Sequence, residues 1–275
     1  MNAEQINKDL RPLVISAGQD FIAGVRRWDI FARLGWLEVK RRYRRTILGP
    51  FWGTANLAVF ILAMGTVGGG IFGRGLAEYL PFLATGMIVW VLISTIITES
   101  CTLFMASQNL YRQMQFNYSM LAYALVWRNL IVFLHNVVPY LIIVALLVPH
   151  FITPWTLLMI PGMVIIVLNG VWIALLLGLV CLRFRDIQQL VTTFIQIGLF
   201  ITPVLWPPDR LHGIQHVVFV DANPLYNLME VVRAPLLGEA PSLRVYSTIF
   251  IITIVGWAIT FLFFHYFRKR ISYWA

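Results

Sequence analysis

Long apolar stretches separated by short polar segments run through almost the whole chain. A helix needs about 20 apolar residues to cross the roughly 30 Å of hydrocarbon in a bilayer, and six stretches meet that requirement. The predicted spans lie at residues 51–73, 79–101, 126–148, 155–182, 187–206 and 245–267. The pattern predicts an all-α integral membrane protein whose six-span membrane domain covers residues 51–267.

The segment before the first span has the pattern of an amphipathic helix over residues 28–48. Its apolar and aromatic positions fall on one side of a helical wheel, and most of its cations fall elsewhere. These apolar positions are Trp28, Ala32, Trp36, Val39, Tyr43 and Ile47. Such a helix lies in the membrane interface, and Gly49 with Pro50 is a plausible break before the first span. Residues 1–27 form an N-terminal segment, and residues 268–275 form a tail.

The segment between spans five and six, residues 207–243, contains apolar runs too short to cross the membrane. Asn223 is a good helix N-cap and Pro224 suits the first helical turn, so a short helix is predicted to end near Gly238. Two short helices here suggest a re-entrant hairpin that dips into the outer leaflet. Glu230 and Arg233, three residues apart, are placed to pair on one face.

Composition and charge fix the class and the orientation. With 59% hydrophobic and 12% charged residues among 275, the chain has too much apolar surface for one water-soluble core. If the N-terminus is inside, 17 of the 21 Lys and Arg residues fall on the inner side. The positive-inside rule then predicts a multi-pass protein with both termini cytoplasmic. The first 20 residues contain charges and no long apolar run, so we expect no cleavable signal peptide.

A dense cluster of cations ends the predicted interfacial helix. It consists of Lys40, Arg41, Arg42, Arg44 and Arg45, with Tyr43 among them. The net charge of +9 raises the possibility of nucleic-acid binding, but the excess lies beside membrane spans. There each cation gains about 1 kcal/mol from anionic lipid, so we expect a membrane role.

Several kinds of chemistry have no signal in the sequence. None of the three lysines follows a glycine, so the chain has no Walker A loop to bind ATP. His212 and His216 have no companion ligand at regular spacing, so no metal site is expected. The spans are nearly free of acids, which does not favour an ion-coupled carrier. Glu99 near the inner end of span two is an exception, and a position close to headgroup water is its preferred interpretation.

Three stretches in order resemble the polysaccharide-export branch of the type-2 ATP-binding-cassette (ABC) permeases. They are RRYRRTILGPFW (41–52), RFRDIQQLVTTFIQIGLFITPVLWP (183–207) and NPLYNLMEVVRAPLLG (223–238). The residues that match the family pattern are Arg42, Tyr43, Leu48, Gly49, Trp52, Phe184, Arg185, Asp186, Thr202, Pro203, Asn223 and Pro224. Members of this branch export O-antigen, capsule or teichoic-acid chains.

The resemblance implies a homodimer of six-span subunits in the bacterial inner membrane, bound to two copies of a nucleotide-binding ATPase subunit. ATP and Mg would be bound by that partner, so this chain is expected to hold no cofactor and to be a transport subunit rather than an enzyme. The transported molecule would be a lipid-linked polysaccharide, such as the O-antigen of lipopolysaccharide. The cytoplasmic connection would receive the motion of the ATPase through Gln108, Asn109, Tyr111, Arg112, Gln115 and Phe116.

A sugar chain needs a path lined with aromatic rings and hydrogen-bonding groups. Candidates at membrane depth are Asn56, Trp90, Asn169, Trp172, Thr193, Phe194, Gln196 and Phe200, and ordinary helix packing is the alternative for each. The candidate outer gate consists of Thr202, Pro203, Trp206, Asn223, Pro224, Glu230 and Arg233.

Two questions stay open. The cation cluster is either a lipid anchor or, with Arg41, Arg42, Tyr43, Arg44 and Arg45, a receptor for the pyrophosphate of a lipid carrier. The cargo is alternatively a drug or a small lipid moved by the same architecture. A non-transporting membrane enzyme or scaffold is a further alternative.

Overall fold

The computed structural model describes residues 17–49, 51–108 and 117–274, without the side chains of residues 210, 269 and 272. Regular structure in the described residues is helical and contains no strand. The longer helices are α1 (Ala17–Arg26), α2 (Trp28–Arg42), α3 (Phe51–Phe72), α4 (Leu76–Ser100), α5 (Ser119–Leu147), α6 (Met159–Arg183), α7 (Asp186–Ile201), α8 (Pro224–Leu236) and α9 (Leu243–Phe267). Short helical turns lie at Leu103–Ala106, Pro149–Phe151, Pro154–Leu158, Pro208–Arg210, Gly213–His216, Val217–Asp221, Arg268–Arg270 and Ile271–Trp274.

Five helical segments are long and apolar enough to cross a membrane: α3, α4, α5, α6 with the turn before it, and α9. Five of the six predicted spans are therefore helices of spanning length, and the protein is a multi-pass membrane protein. The fifth predicted span, 187–206, differs from the prediction. Its helix α7 has 16 residues, which is about 24 Å long at 1.5 Å per residue.

Proline explains the early end of α7. The residue before a proline is pushed out of helical conformation by its ring, and Thr202 before Pro203 is extended, with φ −76° and ψ 137°. Residues 202–206 therefore leave the helix as an irregular segment. A six-span count and a re-entrant hairpin are not confirmed by the helices alone.

Helix α4 lies at the centre of the bundle. In the most apolar 18-residue stretch of α4, 78% of the residues are buried, compared with 22% in the corresponding stretch of α9. Helix α4 also contacts α3, α5, α6, α7 and α8. Surface helices of a membrane protein keep apolar side chains outward because lipid, unlike water, accepts them. The low burial of α3 and α9 therefore indicates faces toward lipid or another copy.

The N-terminal helices α1 and α2 pack against α5 at one end of the bundle. Gly35 and Val39 of α2 are buried, and a Cβ on Gly35 would meet the carbonyl oxygen of Ala124 in α5 at 2.9 Å. Trp28 and Trp36 stay exposed, as expected for aromatics in the interface. Gly49 has a left-handed backbone, with φ +57°, which confirms a turn between α2 and α3.

The first and last helical elements of the described chain lie on the same side of the protein. The buried carboxylate of Asp20 in α1 pairs with Arg268 Nη2 at 2.6 Å and accepts a hydrogen bond from the Ser119 backbone N–H at 3.0 Å. The end of α9, the start of α5 and α1 are therefore joined at one face, which we call the inner face.

Candidate functional site

A cluster of charged residues joins α2, α4 and α5 at the inner face. Glu99 at the end of α4 is paired with Arg42 of α2, and its Oε2 lies 2.6 Å from Arg128 Nη2 of α5. Asn129 donates a further hydrogen bond to Glu99 at 3.0 Å, and Arg128 is also paired with Glu38 of α2. These five residues, the inner ion cluster, tie the interfacial helix to two spans.

The inner ion cluster borders a cavity of about 220 Å³ that extends to Ser107, at the start of the connection between α4 and α5. Gln108 is the described member of the predicted coupling residues. The other predicted coupling residues, Asn109, Tyr111, Arg112, Gln115 and Phe116, lie outside the described residues.

The arginines in the last turn of α2 and directly after it line a second cavity, of about 320 Å³, which we call the arginine cavity. Its lining consists of Arg41, Arg42, Arg44, Arg45 and Thr46, so four of the five predicted residues come together. Burial is the largest single influence and lowers the pKa of the Arg42 guanidinium, but the hydrogen bond to Glu99, the charge of Glu99 and the charges of Tyr43 and Glu38 together leave the pKa above its ordinary value. Tyr43, the fifth predicted residue, caps the end of α2 instead of lining the cavity.

One exposed side of α7 carries polar side chains, next to an exposed apolar side formed by Leu190, Phe194, Ile197 and Ile201. Gln189, Thr193, Gln196 and Phe200 follow one another at steps of three or four residues and are all exposed, so they share one side of the helix. Phe194 is exposed beside them. Amides and a hydroxyl next to aromatic rings form a surface that accepts both hydrogen bonds and apolar contacts. Three predicted channel residues, Thr193, Gln196 and Phe200, therefore lie together on the α7 face, and Phe194 lies about 100° further around the helix from Thr193.

The other predicted channel residues are dispersed. Trp90 is buried and packs near Gly198, and Asn169 is buried between α6 and α9, where it donates to Thr253 Oγ1 at 2.8 Å. Trp172 donates to Asn169 at 2.9 Å and packs against Gly256. These contacts correspond to ordinary helix packing, the alternative considered for each residue. Asn56 is exposed on α3, away from this packing.

The irregular segment 202–206 is held by side-chain hydrogen bonds at the end of the bundle opposite the inner face, which we call the outer end. Asn223 donates to Thr202 Oγ1 at 3.0 Å, and Arg233 donates to the Pro203 carbonyl at 2.7 Å. Tyr79 donates to the Leu205 carbonyl at 2.5 Å, and Trp206 donates to the Phe200 carbonyl at 2.8 Å. We call this arrangement the outer latch.

Helix α8 begins as the sequence indicates. The Asn223 side chain accepts hydrogen bonds from the backbone N–H groups of Leu225 and Tyr226, and Pro224 occupies the first turn. The pairing suggested for Glu230 and Arg233 is wrong, since the described residues contain no ion pair between them. Arg233 instead lies over the Phe82 ring, 3.6 Å from its centroid, and one oxygen of Glu230 is buried without a hydrogen-bond partner among the described residues.

Sequence reasoning missed Glu38, Arg128 and Asp20 as members of ionic contacts, and it treated Glu99 as an unremarkable boundary acid. These contacts join residues 29 to 90 positions apart in the inner ion cluster. The sequence placed Glu99 and Arg128 at the inner ends of two neighbouring predicted spans. This placement indicates that they lie at a similar depth in the membrane, but it does not indicate that they are in contact.

Several spanning helices with one polar face among them are typical of a multi-pass transport protein. Residues 31–237 match the family described as ABC-2 type transporter, and the chain belongs to this family. The match begins in α2 and ends directly after α8, so it includes the inner ion cluster, the α7 face and the outer latch. The protein is thus a membrane permease, which confirms the resemblance seen in the sequence.

Curated relatives have a more specific name. The chain is 23% identical to the O-antigen export system permease protein RfbA of Myxococcus xanthus over 199 residues, which cover 72% of this chain and 76% of that protein. It is 25% identical to the protein of the same name from Klebsiella pneumoniae over 230 residues, which cover 81% of this chain and 87% of the relative.

Proposed function

We propose that this permease exports a lipid-linked polysaccharide of the O-antigen type from the cytoplasmic side across the bacterial inner membrane. The α7 face is the observation that carries the proposal. Aromatic rings stack on the C–H faces of sugars, and amide and hydroxyl groups bond to their oxygens. The relatives named for O-antigen export support the same cargo class.

The exposed α7 face also supports a homodimer. Polar side chains at membrane depth, such as Thr193 and Gln196, are unfavourable against lipid, and a second copy placed opposite would enclose them in a channel. In this arrangement α7 with residues 202–206 completes the sixth crossing, and both termini lie in the cytoplasm. The segment from 208 to 238 forms an outer gate together with the outer latch.

Energy comes from outside this chain in the proposed complex. Two copies of an ABC ATPase subunit bind ATP and Mg and contact the connection that begins near Gln108. The inner ion cluster then passes their motion to α2, α4 and α5, since it joins these three helices directly. Family membership supports the ATPase partner.

The arginine cavity is the proposed contact for the pyrophosphate of the lipid carrier. Arginine presents a planar fork of donors that matches phosphate oxygens, and four arginines line one cavity next to the first span. A passive anchor among lipid headgroups is the alternative use of the same cations.

Deletion of the gene tests the cargo. We expect lipid-linked glycan to accumulate on the cytoplasmic side and surface glycan to disappear, and the wild-type gene should restore both. Normal surface glycan after deletion would contradict the proposal.

A pair of phenylalanines tests the path. Phe200 on the α7 face and Phe250 on α9 are 67% and 65% exposed, so Phe200→Ala and Phe250→Ala remove equal side chains from equally exposed positions. Export should fall with Phe200→Ala and persist with Phe250→Ala at equal protein levels. Equal export by both variants would remove the α7 face from the path.

A further inference from the structure

A third cavity lies at the inner face, between the ends of α6 and α9. It has a volume of about 180 Å³. Leu179 of α6 and Phe263 and Phe267 of α9 form apolar walls, and Arg183 and Arg270 supply two cations. None of these residues belongs to the inner ion cluster, the arginine cavity or the α7 face, so this cavity needs its own explanation.

The two arginines have no anionic partner within the part of the chain that the structure describes. Neither Arg183 nor Arg270 has an Asp or Glu oxygen within 4.0 Å among the described residues, although Asp186 follows Arg183 closely in the chain. Both guanidinium groups lie over the Trp274 ring instead, 5.6 Å and 6.0 Å from its centroid. Two like charges beside one apolar cavity repel each other, so an anion that bridges them would be stabilised.

The cavity lies at the depth of lipid headgroups. Arg268, two residues before Arg270, pairs with Asp20 of α1, which puts the cavity on the same face as the cations of α2. The apolar walls belong to the last turns of two spanning helices, and the cations begin where the spans end. A molecule with an anionic headgroup and apolar chains matches this arrangement, in which apolar walls within the membrane are followed by cations at its surface.

The Trp274 ring, which lines the cavity, is held in place by the fold. Trp274 belongs to the helical turn Ile271–Trp274, and Ile271 in that turn is fully buried in the main core. The turn is therefore anchored, and the Trp274 ring is held against α6 and α9. Tryptophan with its amphipathic ring is typical of the interface between hydrocarbon and headgroups.

We propose that this cavity binds the net negative headgroup of an anionic phospholipid from the inner leaflet. Basic pockets between spanning helices on the cytoplasmic side are suited to such headgroups. The acyl chains extend along the exposed apolar surface of α6 and α9. The lipid thereby fastens the C-terminal turn to the end of α6, next to the short connection that leads into α7. This inference does not depend on the transported molecule.

Native mass spectrometry of the full chain in detergent tests the proposal. The probes are phosphatidylglycerol and phosphatidylcholine with identical acyl chains, added in equal amounts. The wild type should retain phosphatidylglycerol in preference to phosphatidylcholine. The double variant Arg183→Gln/Arg270→Gln should bind phosphatidylglycerol roughly tenfold or more weakly, because both cations are lost. The matched control Arg185→Gln/Arg244→Gln removes two exposed cations outside the cavity and should bind as the wild type does.

Three results would overturn the proposal. They are equal retention of both lipids by the wild type, unchanged phosphatidylglycerol binding by the double Gln variant, and an equal loss in the control variant. The variant Arg183→Lys/Arg270→Lys keeps both charges and should retain most of the binding, which separates a charge effect from misfolding. A polyprenyl pyrophosphate is the competing probe. Displacement of phosphatidylglycerol by an equimolar amount of it would assign the cavity to the carrier lipid and contradict a phospholipid site.

Discussion

Arg128 and Glu99 face each other at the inner ends of α5 and α4, with 2.6 Å between Nη2 and Oε2. Each also has a partner on α2, since Glu99 pairs with Arg42 and Arg128 pairs with Glu38. The four charges alternate in sign along this chain of contacts. A displacement of α2 therefore changes the surroundings of both spans at once, which suits an element that receives motion from a partner subunit.

Replacement of Glu99 by Gln tests whether the inner ion cluster stabilises the fold. The side chains of Glu99 and Arg128 are 18% and 15% exposed. Loss of the carboxylate leaves the poorly solvated Arg128 with Glu38 as its one ionic partner among the described residues, and it removes the partner of the more exposed Arg42. We expect the free energy of unfolding to fall by about 1–3 kcal/mol, less than for a fully buried pair. Thermal unfolding of the purified protein in detergent measures this change.

The matched control is Glu78→Gln, because Glu78 is 61% exposed and pairs with Arg74 at 2.9 Å. An exposed ion pair of this kind contributes about 0–1 kcal/mol to the free energy of unfolding. The melting temperature of the Glu78→Gln variant should therefore stay near that of the wild type. Equal melting temperatures for both variants would show that the inner ion cluster adds little stability.

Whether a feature could be predicted from the sequence depends on how far apart in the chain the interacting residues lie. The cap of α8 is local, since the Asn223 side chain bonds to backbone groups two and three residues ahead, and it was predictable. The spans α3 to α6 and α9 follow from apolar length, a property of each segment by itself. The outer end of α7 was misjudged because apolar residues continue through 206 while Pro203 ends the helix.

The functional surfaces divide in the same way. The polar face of α7 follows from helical periodicity once the helix is known. The partners of Glu99, Asp20 and Arg233 depend on how helices pack, and a pattern along one segment carries no such information. Trp90 and Phe200 look alike in sequence as aromatics at membrane depth, but only the fold shows that one is buried and the other exposed.

The close contact of α6 with α8 depends on a glycine. A Cβ on Gly162 would overlap the backbone carbonyl of Val231, which cannot move aside as a side chain can. Gly162→Ala should therefore destabilise the protein by about 1–3 kcal/mol through overpacking, seen as a lower melting temperature in detergent.

Gly70 of α3 supplies the comparison, since a Cβ there meets nothing within 4 Å. Gly70→Ala should leave the melting temperature unchanged or raise it, because alanine favours helix more than glycine does. A loss of stability equal in both variants would indicate a general effect of glycine replacement instead of the α6–α8 contact.

The outer latch predicts a role for Arg233 in keeping the resting permease closed. Its guanidinium is buried, holds the Pro203 carbonyl at 2.7 Å and lies over Phe82. Arg233→Gln removes both contacts, so the segment 202–206 should loosen and leakage of small ions from proteoliposomes without ATP should rise. Arg244→Gln, at an exposed position paired with Asp221 at 2.6 Å, should leave leakage low. Tight vesicles with correctly inserted Arg233→Gln protein would argue against the latch.

Replacement of arginine by lysine in the arginine cavity separates its two proposed uses. Arg41, Arg42, Arg44 and Arg45 line one cavity, and the fourfold Lys variant keeps every charge while removing the fork of donors. If the cavity receives the pyrophosphate of a lipid carrier, export of surface glycan should fall strongly while membrane insertion stays normal. A control with Lys at Arg26, Arg27 and Arg33, which are exposed on α1 and α2 or between them, should export normally. Full export by the fourfold variant would favour the lipid anchor, because an anchor among anionic headgroups needs charge and not geometry.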